Sequence, residues 1–157
     1  MKMNQMEPDR TEPTGNRTGN KGRFLALSRI CLNNWHYISK RILSFNEDIN
    51  FFTGHSGSGK STVIDAMQVL LYANTDGRGF FNKAAADDSD RSLIEYLRGM
   101  VNIGENNEFS YLRNQNFSST IVLELKRSDT GACQCVGIVF DVETSANDIS
   151  RRFFWHK

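Results

Sequence analysis

A glycine-rich stretch contains the residue types and the spacing that bind phosphate. Residues 54–61 (GHSGSGKS) fit the pattern G-x-x-x-x-G-K-[ST] at every fixed position, and Thr62 follows. Gly54, Gly57 and Gly59 can take backbone angles barred to other residues, which lets amide groups close around an anion. The pattern therefore predicts a P-loop that binds a nucleoside triphosphate.

The polar side chains of the stretch have separate predicted roles. Lys60 is a compact cation that can reach the β- and γ-phosphates, and the Ser61 hydroxyl is placed to bind Mg²⁺. Thr62 is a candidate contact of the α-phosphate. We take ATP and Mg²⁺ as the ligands. The predicted binding set is Gly54, His55, Ser56, Gly57, Ser58, Gly59, Lys60, Ser61 and Thr62.

A functional P-loop has a strand before it and a helix after it. Residues 49–53 are a short β-type run that ends at the loop, and residues 61–73 are mostly apolar, without Gly or Pro. Because that helix is apolar nearly all round, we expect it to pack against a sheet on one side and to be covered on another. The fold class predicted is α/β, a P-loop strand–helix unit surrounded by an antiparallel β-meander.

The remaining elements follow from hydrophobic periodicity and turn residues. Ser92 and Glu95 suggest a capping box in one helix, and Gly99 suits its C-terminal end. An aromatic turn over residues 33–37 is expected close to the nucleotide, which makes Asn34 and His36 candidate contacts. The predicted strands are residues 24–32, 42–45, 119–126, 133–142 and 152–155, the helix is 89–98, and 102–107 is a loop.

Length and composition indicate one domain with a short tail. The chain has 157 residues and a formal net charge of +1, which argues neither for nor against nucleic acid. Residues 1–22 are polar, contain both prolines and are predicted to be disordered, whereas residues 23–157 form the domain. No apolar run is long enough for a membrane span or a secretory signal, and three cysteines predict no disulfide framework. Because a P-loop needs cellular ATP or GTP, we expect a reduced, cytoplasmic setting.

Hydrolysis of ATP also needs an acidic residue to hold the Mg²⁺ shell. The sequence offers Asp141, at the end of the apolar run 137–140. That run lies in the predicted hairpin, whereas the strand that carries such an acid is central, parallel and buried on both faces. A solvated strand-end aspartate is therefore the favoured interpretation. Cys133 and Cys135 lie on one face of the same strand without enough further soft ligands for a metal site.

Several stretches resemble the N-terminal half-heads of SMC-like proteins, which are ABC-type ATPases. Residues 30–35 (ICLNNW) are similar to their L-x-N-[FW] strand end. Residues 53–62 with residues 65–66 (DA) resemble their G-x-x-G-[AS]-G-K-S and [LI]-D-A motifs. Within that class, residues 80–86 and 91–99 look most like the condensin-like JetC/MukB group, whose JetC members belong to the Wadjet systems that act against plasmids.

The resemblance covers about residue 23 to the end and implies one half of a motor. It implies that a C-terminal head lobe supplies the magnesium acid and the catalytic glutamate across a long coiled coil. Two heads would then enclose ATP as a homodimer, with a kleisin-type subunit and DNA as further partners. On this view the chain is truncated and binds ATP without turning it over. An arginine at the head interface is also implied, with Arg78, Arg91 and Arg98 as candidates.

Two other functions stay open on the sequence. A self-contained kinase or small NTPase would use Asp141 as its magnesium acid and would turn over without a partner. An inactive fragment kept for protein contacts would bind no nucleotide despite its P-loop.

Overall fold

The computed structural model describes residues 23–72, 93–103 and 108–157. The predicted tail 1–22, the irregular segment 80–88 and the start of the predicted helix at 89–92 lie outside the described residues. The strands are β1 Leu25–Trp35, β2 Ile38–Ser44, β3 Met100–Ile103, β4 Glu108–Tyr111, β5 Phe117–Arg127, β6 Cys133–Glu143 and β7 Asp148–His156; the helices are α1 Lys60–Leu71 and α2 Leu93–Arg98.

Five long strands form one antiparallel sheet in the order β2-β1-β5-β6-β7. The predicted hairpin of β5 and β6 is confirmed, with Phe117 opposite Val142 at one end and Lys126 opposite Cys133 at the other. The predicted strand in residues 152–155 is confirmed as part of β7, which pairs with β6. The chain is thus an antiparallel, sheet-rich α/β fold.

One face of this sheet carries the core. Alternation along a strand sends every second side chain to the same face, and the buried residues of β5 and β6 follow this period. Both helices pack on that face and bury their own apolar side chains against it. The core comprises Ile30, Leu32, Trp35, Val63, Ala66, Val69, Leu70, Leu93, Ile94, Tyr96, Leu97, Ile121, Leu123, Ile138, Phe140 and Val142.

The end of β1 departs from simple alternation. Ile30 and Leu32 face the core, yet the next core residue is Trp35 because Asn34 has a positive φ of 50° that changes the direction of the chain. The Trp35 indole is fully buried, and its Nε1 donates a hydrogen bond to the Thr62 carbonyl oxygen at 2.8 Å. This bond ties the sheet to the first turn of α1.

The strand predicted for residues 49–53 is absent. Among the described residues no strand pairs with this segment. The Asn50 side chain instead bonds both the amide and the carbonyl of Asn46, which closes a polar loop. Ile49 and Phe51 remain 64% and 85% exposed, so the β-type composition here is not matched by a neighbouring strand.

Two other predictions need correction. Residues 102 and 103 of the predicted loop belong to β3, which forms a separate antiparallel pair with β4, whereas residues 104–107 lie outside the described residues. The second side of α1 is not covered by described residues, since Ile64 and Leu71 are 40% and 63% exposed. Within the described ranges, no helix is long and apolar enough to cross a membrane.

Candidate nucleotide-binding site

The P-loop is shaped by two glycines that other residues could not replace without strain. Gly54 has φ +147°, and a Cβ on it would lie 2.7 Å from the Ser58 Oγ. Gly59 has φ +93°, and a Cβ there would lie 2.5 Å from the hydroxyl oxygen of Tyr37. Both distances are too short for a real Cβ, so the backbone can approach its neighbours only because these side chains are missing.

The N-terminus of α1 is open to an anion. Gly59 precedes the helix without a side chain to cap it, and the first turn contains no acidic residue. The Val63 amide bonds the Gly59 carbonyl at 3.1 Å, whereas the amides before it in the first turn have no carbonyl within the helix to bond. These amides and the positive end of the helix dipole form the usual setting for a phosphate group.

Lys60 places its charge inside the loop. Its ammonium donates to the carbonyl oxygens of Gly54 and His55, each at 2.8 Å, and to the Ser58 Oγ at 3.2 Å. Charge-assisted bonds of this kind are stronger than neutral ones, so Lys60 holds the two sides of the loop together. Its contact with a phosphate oxygen stays a prediction.

The two hydroxyl residues that follow have different surroundings. Ser61 is exposed, which suits a metal ligand that must be reached from solvent. Thr62 is only 7% exposed, and its hydroxyl bonds the Tyr37 hydroxyl at 3.4 Å. Its contact with an α-phosphate therefore stays a prediction, whereas its contact with Tyr37 is part of the fold.

Of the two candidate contacts from the predicted aromatic turn, Asn34 lies in the last part of β1 and His36 lies in the turn between β1 and β2. The Asn34 amide nitrogen donates to the Ser118 carbonyl oxygen at 2.9 Å. The His36 ring makes edge-to-face contacts with Tyr37 and Tyr96, with centroids 5.0 and 4.4 Å apart. The Asn34 bond joins β1 to β5, and the contact of either side chain with nucleotide stays a prediction. The residue of this turn that reaches the P-loop is Tyr37. The sequence indicated it only through its position in the predicted aromatic turn.

A buried polar pair connects α1, the helix after the P-loop, to α2. Asp65 on α1 is 5% exposed and accepts a hydrogen bond from the Tyr96 hydroxyl of α2 at 2.8 Å. Burial raises the pKa of the Asp65 carboxyl, and the hydrogen bond from Tyr96 opposes that rise. Burial and the neighbouring carboxylate both raise the pKa of Tyr96. The sequence pointed to Asp65 as part of a motif but could not identify a partner 31 residues away.

Asp141 is not placed to serve this site. It lies between Phe140 and Val142, which face the core, so its side chain is on the opposite face of the sheet from α1. Its carboxylate accepts a hydrogen bond from Ser118 Oγ at 2.5 Å and pairs with Arg152 at 2.7 Å. The Ser118 bond, followed by Arg152, lowers the pKa of Asp141. The residues described contain no cluster of His, Cys, Asp or Glu that could hold a metal ion.

Of the three arginines proposed for a head interface, one can be located. Arg98 lies with its guanidinium 3.8 Å from the centre of the Tyr111 ring and donates to the Arg113 carbonyl oxygen at 3.2 Å. Arg78 and Arg91 lie outside the described residues. Arg98 is thus already engaged within the fold.

An open helix N-terminus, a lysine held inside a glycine loop and a supporting sheet define a P-loop NTPase. The comparisons agree with this class. Residues 27–88 match the family described as "P-loop containing region of AAA domain", which covers less than half of the chain.

The chain is also similar to proteins named "DNA replication and repair protein RecF". Those of Francisella tularensis subspecies novicida, tularensis and holarctica are each 24% identical to it over 104 residues. The match covers 66% of this chain and 30% of each relative, so the chain spans under a third of the proteins it matches. Loop and matches together support a nucleotide-binding ATPase region, a class that in general uses a nucleotide with Mg²⁺.

Proposed function

We propose that this chain is the ATP-binding N-terminal lobe of an SMC-like DNA motor, with an ABC-type head. The observation that carries the proposal is the position of Asp141, the candidate magnesium acid, relative to the predicted phosphate site. Lys60 and the open N-terminus of α1 form a phosphate site on one face of the sheet, whereas Asp141 lies on the other. ATP would be held here and hydrolysed only when a magnesium acid comes from elsewhere.

The Mg²⁺–ATP complex fits the residues present. The amides of the loop and Lys60 would hold the β- and γ-phosphates, and the exposed Ser61 hydroxyl would bind the metal. Mg²⁺ supplies charge neutralisation on the phosphates when it is bound. Gly59 has no Cβ, so no side chain from this position occupies the space beside the N-terminus of α1 where a phosphate would bind.

Exposed apolar surface around the P-loop favours the proposal that a second lobe packs there. Residues 49–53 run up to the loop without a partner strand among the described residues, and Phe51 is 85% exposed. On the outer side of α1, Ile64, Leu71 and Tyr72 are 40%, 63% and 69% exposed. We propose that a strand and helices of the C-terminal lobe pack here, where a buried parallel sheet would place the magnesium acid beside Ser61.

In the whole protein, two such heads would close around ATP and reopen after hydrolysis, with a coiled coil, a kleisin-type subunit and DNA as partners. The similarity to proteins of DNA replication and repair favours DNA as the substrate of the motor. Chromosome organisation and plasmid defence, the roles of the MukB and JetC groups, are the two biological settings proposed. The JetC/MukB assignment rests on residues 80–86 and 91–99, most of which lie outside the described residues.

ATP binding and turnover by the 157-residue chain test this function. We expect MgATP binding without turnover, and loss of binding in Lys60→Ala, because the variant removes the ammonium that faces the phosphates. Lys40→Ala, an exposed lysine of β2, is the matched control and should bind normally. Asp141→Asn should also bind normally. Binding that survives Lys60→Ala unchanged would overturn the P-loop assignment.

The alternative is a self-contained kinase or small NTPase. It requires turnover by the chain alone that is lost in both Lys60→Ala and Asp141→Asn. The position of Asp141 on the opposite face of the sheet from α1 disfavours it.

A further inference from the structure

Arg113, in the connection between β4 and β5, gathers carbonyl groups from two distant parts of the chain. Its Nη1 donates to the carbonyl oxygens of His36 and Leu97, the latter at 2.9 Å, and its Nη2 donates to that of Ile38 at 3.5 Å. His36 lies in the turn between β1 and β2, Ile38 is the first residue of β2, and Leu97 lies in the last turn of α2. We propose that Arg113 is a positioning residue for the nucleotide site, an inference that rests on the proposed function.

The acceptors His36 and Ile38 flank Tyr37. His36 precedes it and has a positive φ of 48°, which is strained for a residue with a side chain. A strained backbone persists only where its surroundings hold it. The guanidinium of Arg113 fixes the carbonyl on each side of Tyr37 and thereby fixes the direction in which Tyr37 points.

Tyr37 in turn contacts the P-loop and the first turn of α1. Its hydroxyl bonds the Thr62 hydroxyl at 3.4 Å and lies 2.5 Å from where a Cβ on Gly59 would be. Gly59 is the last residue before α1, where the loop turns into the helix. A shift of Tyr37 would therefore move the amides at the N-terminus of α1, which are the groups expected to bind the phosphates.

An arginine suits this place better than a lysine. The planar guanidinium presents five donors in a fixed fork, so it can bond several carbonyls without bending. It is half-buried and stacks near the Phe117 ring, 5.3 Å from the ring centre. Burial lowers the pKa of Arg113, but an arginine keeps its charge at neutral pH. The charge also complements the negative end of the helix dipole of α2.

The test is a double-mutant cycle on MgATP affinity, measured by calorimetric titration of the 157-residue chain below the melting temperature of every variant. We expect Arg113→Ala and Tyr37→Phe each to weaken affinity about tenfold, which equals about 1.4 kcal/mol. The double variant should be weaker than wild type by about the same factor, because the two residues act through one contact. Arg113→Lys should lose less than Arg113→Ala, and the cycle can be run with it where Arg113→Ala does not fold.

The control is Arg29→Ala, which removes an arginine paired with Glu124 at 2.5 Å, away from the P-loop. It should leave affinity unchanged even if it lowers the melting temperature. The positioning role would be overturned if the fold-losses of affinity in Arg113→Ala and Tyr37→Phe multiply in the double variant. It would also be overturned if a folded Arg113→Ala binds MgATP normally. Lys60→Ala separates the two proposals: if it also binds normally, the P-loop function fails, whereas if it alone loses binding, only the role of Arg113 fails.

Discussion

The buried pair of Asp65 and Tyr96 yields the prediction that the structure defines most fully. Tyr96→Phe removes one hydroxyl group and leaves the ring in contact with Trp35, whose centroid is 5.2 Å away. It also removes the hydrogen bond that Asp65 receives at 2.8 Å. Since Asp65 is only 5% exposed, water cannot readily replace the donor. The fold should therefore lose stability without losing its packing.

The expected loss depends on pH because the acceptor titrates. Burial raises the pKa of Asp65 in the folded chain, so its stabilising protonated form is lost as the pH rises from the unfolded value of about 3.9 through the folded pKa. The Tyr96 bond opposes this rise, and its removal raises the folded pKa further. The effect of Tyr96→Phe is thus greatest above the folded pKa. A bond to a charged group predicts a loss of about 2 kcal/mol at pH 7.5, and a neutral bond predicts about 1 kcal/mol at pH 3, which is below the unfolded pKa.

Urea denaturation at the two pH values measures both losses. Tyr72→Phe is the matched control, because it removes the hydroxyl of a tyrosine that is 69% exposed and should change stability by less than about 0.5 kcal/mol. Asp65→Asn keeps an acceptor for the Tyr96 hydroxyl but cannot ionise, so Tyr96→Phe in that background should cost the same at both pH values. An equal loss at pH 3 and pH 7.5 in the unmodified background would refute the reasoning.

Two glycines provide further predictions. Gly59→Ala should destabilise the chain by about 1–3 kcal/mol and weaken MgATP binding, because its φ is +93° and its Cβ would meet the Tyr37 hydroxyl. Gly57→Ala is the control, because Gly57 also has a positive φ, of +77°, but has open space around it. If Gly57→Ala melts at as low a temperature as Gly59→Ala, the clash with Tyr37 is not the cause of the loss. Gly137→Ala should cost about 1–3 kcal/mol by thermal denaturation because its Cβ would meet the Phe154 ring. Adding Phe154→Ala should recover part of that loss, and no recovery would exclude the ring as its cause.

Local patterns predicted much of the fold. The period of two in residues 119–126 and 133–142 gave both strands of the central hairpin, because side chains alternate between a buried and a wet face. The apolar run after the P-loop gave α1 to within two residues at each end. Gly99 was predicted to end a helix and does so with φ +68°. In each case the signal lies within a few neighbouring residues.

Predictions failed where the partner is distant or is not among the described residues. Residues 49–53 have the composition of a strand, but a strand needs a neighbour, and none of the described strands supplies one. Strands β3 and β4 were missed because residues 102–107 were predicted as a loop, although residues 102 and 103 pair with residues 109 and 108. The pairing of Arg113 with the turn at residues 36–38 spans about 75 residues of chain, and no local pattern indicates it.

The sequence by itself determined the chemistry of the loop, since the spacing of glycines, Lys60 and Ser61 is a local property that any phosphate site of this kind requires. The tertiary structure decided which other groups belong to that site. It placed the Tyr37 hydroxyl against Gly59 and the Tyr96 hydroxyl against the Asp65 carboxylate of α1. It placed Asp141 on the face of the sheet opposite to α1. The physical reason is that strand pairing and burial, rather than closeness in sequence, determine which side chains meet.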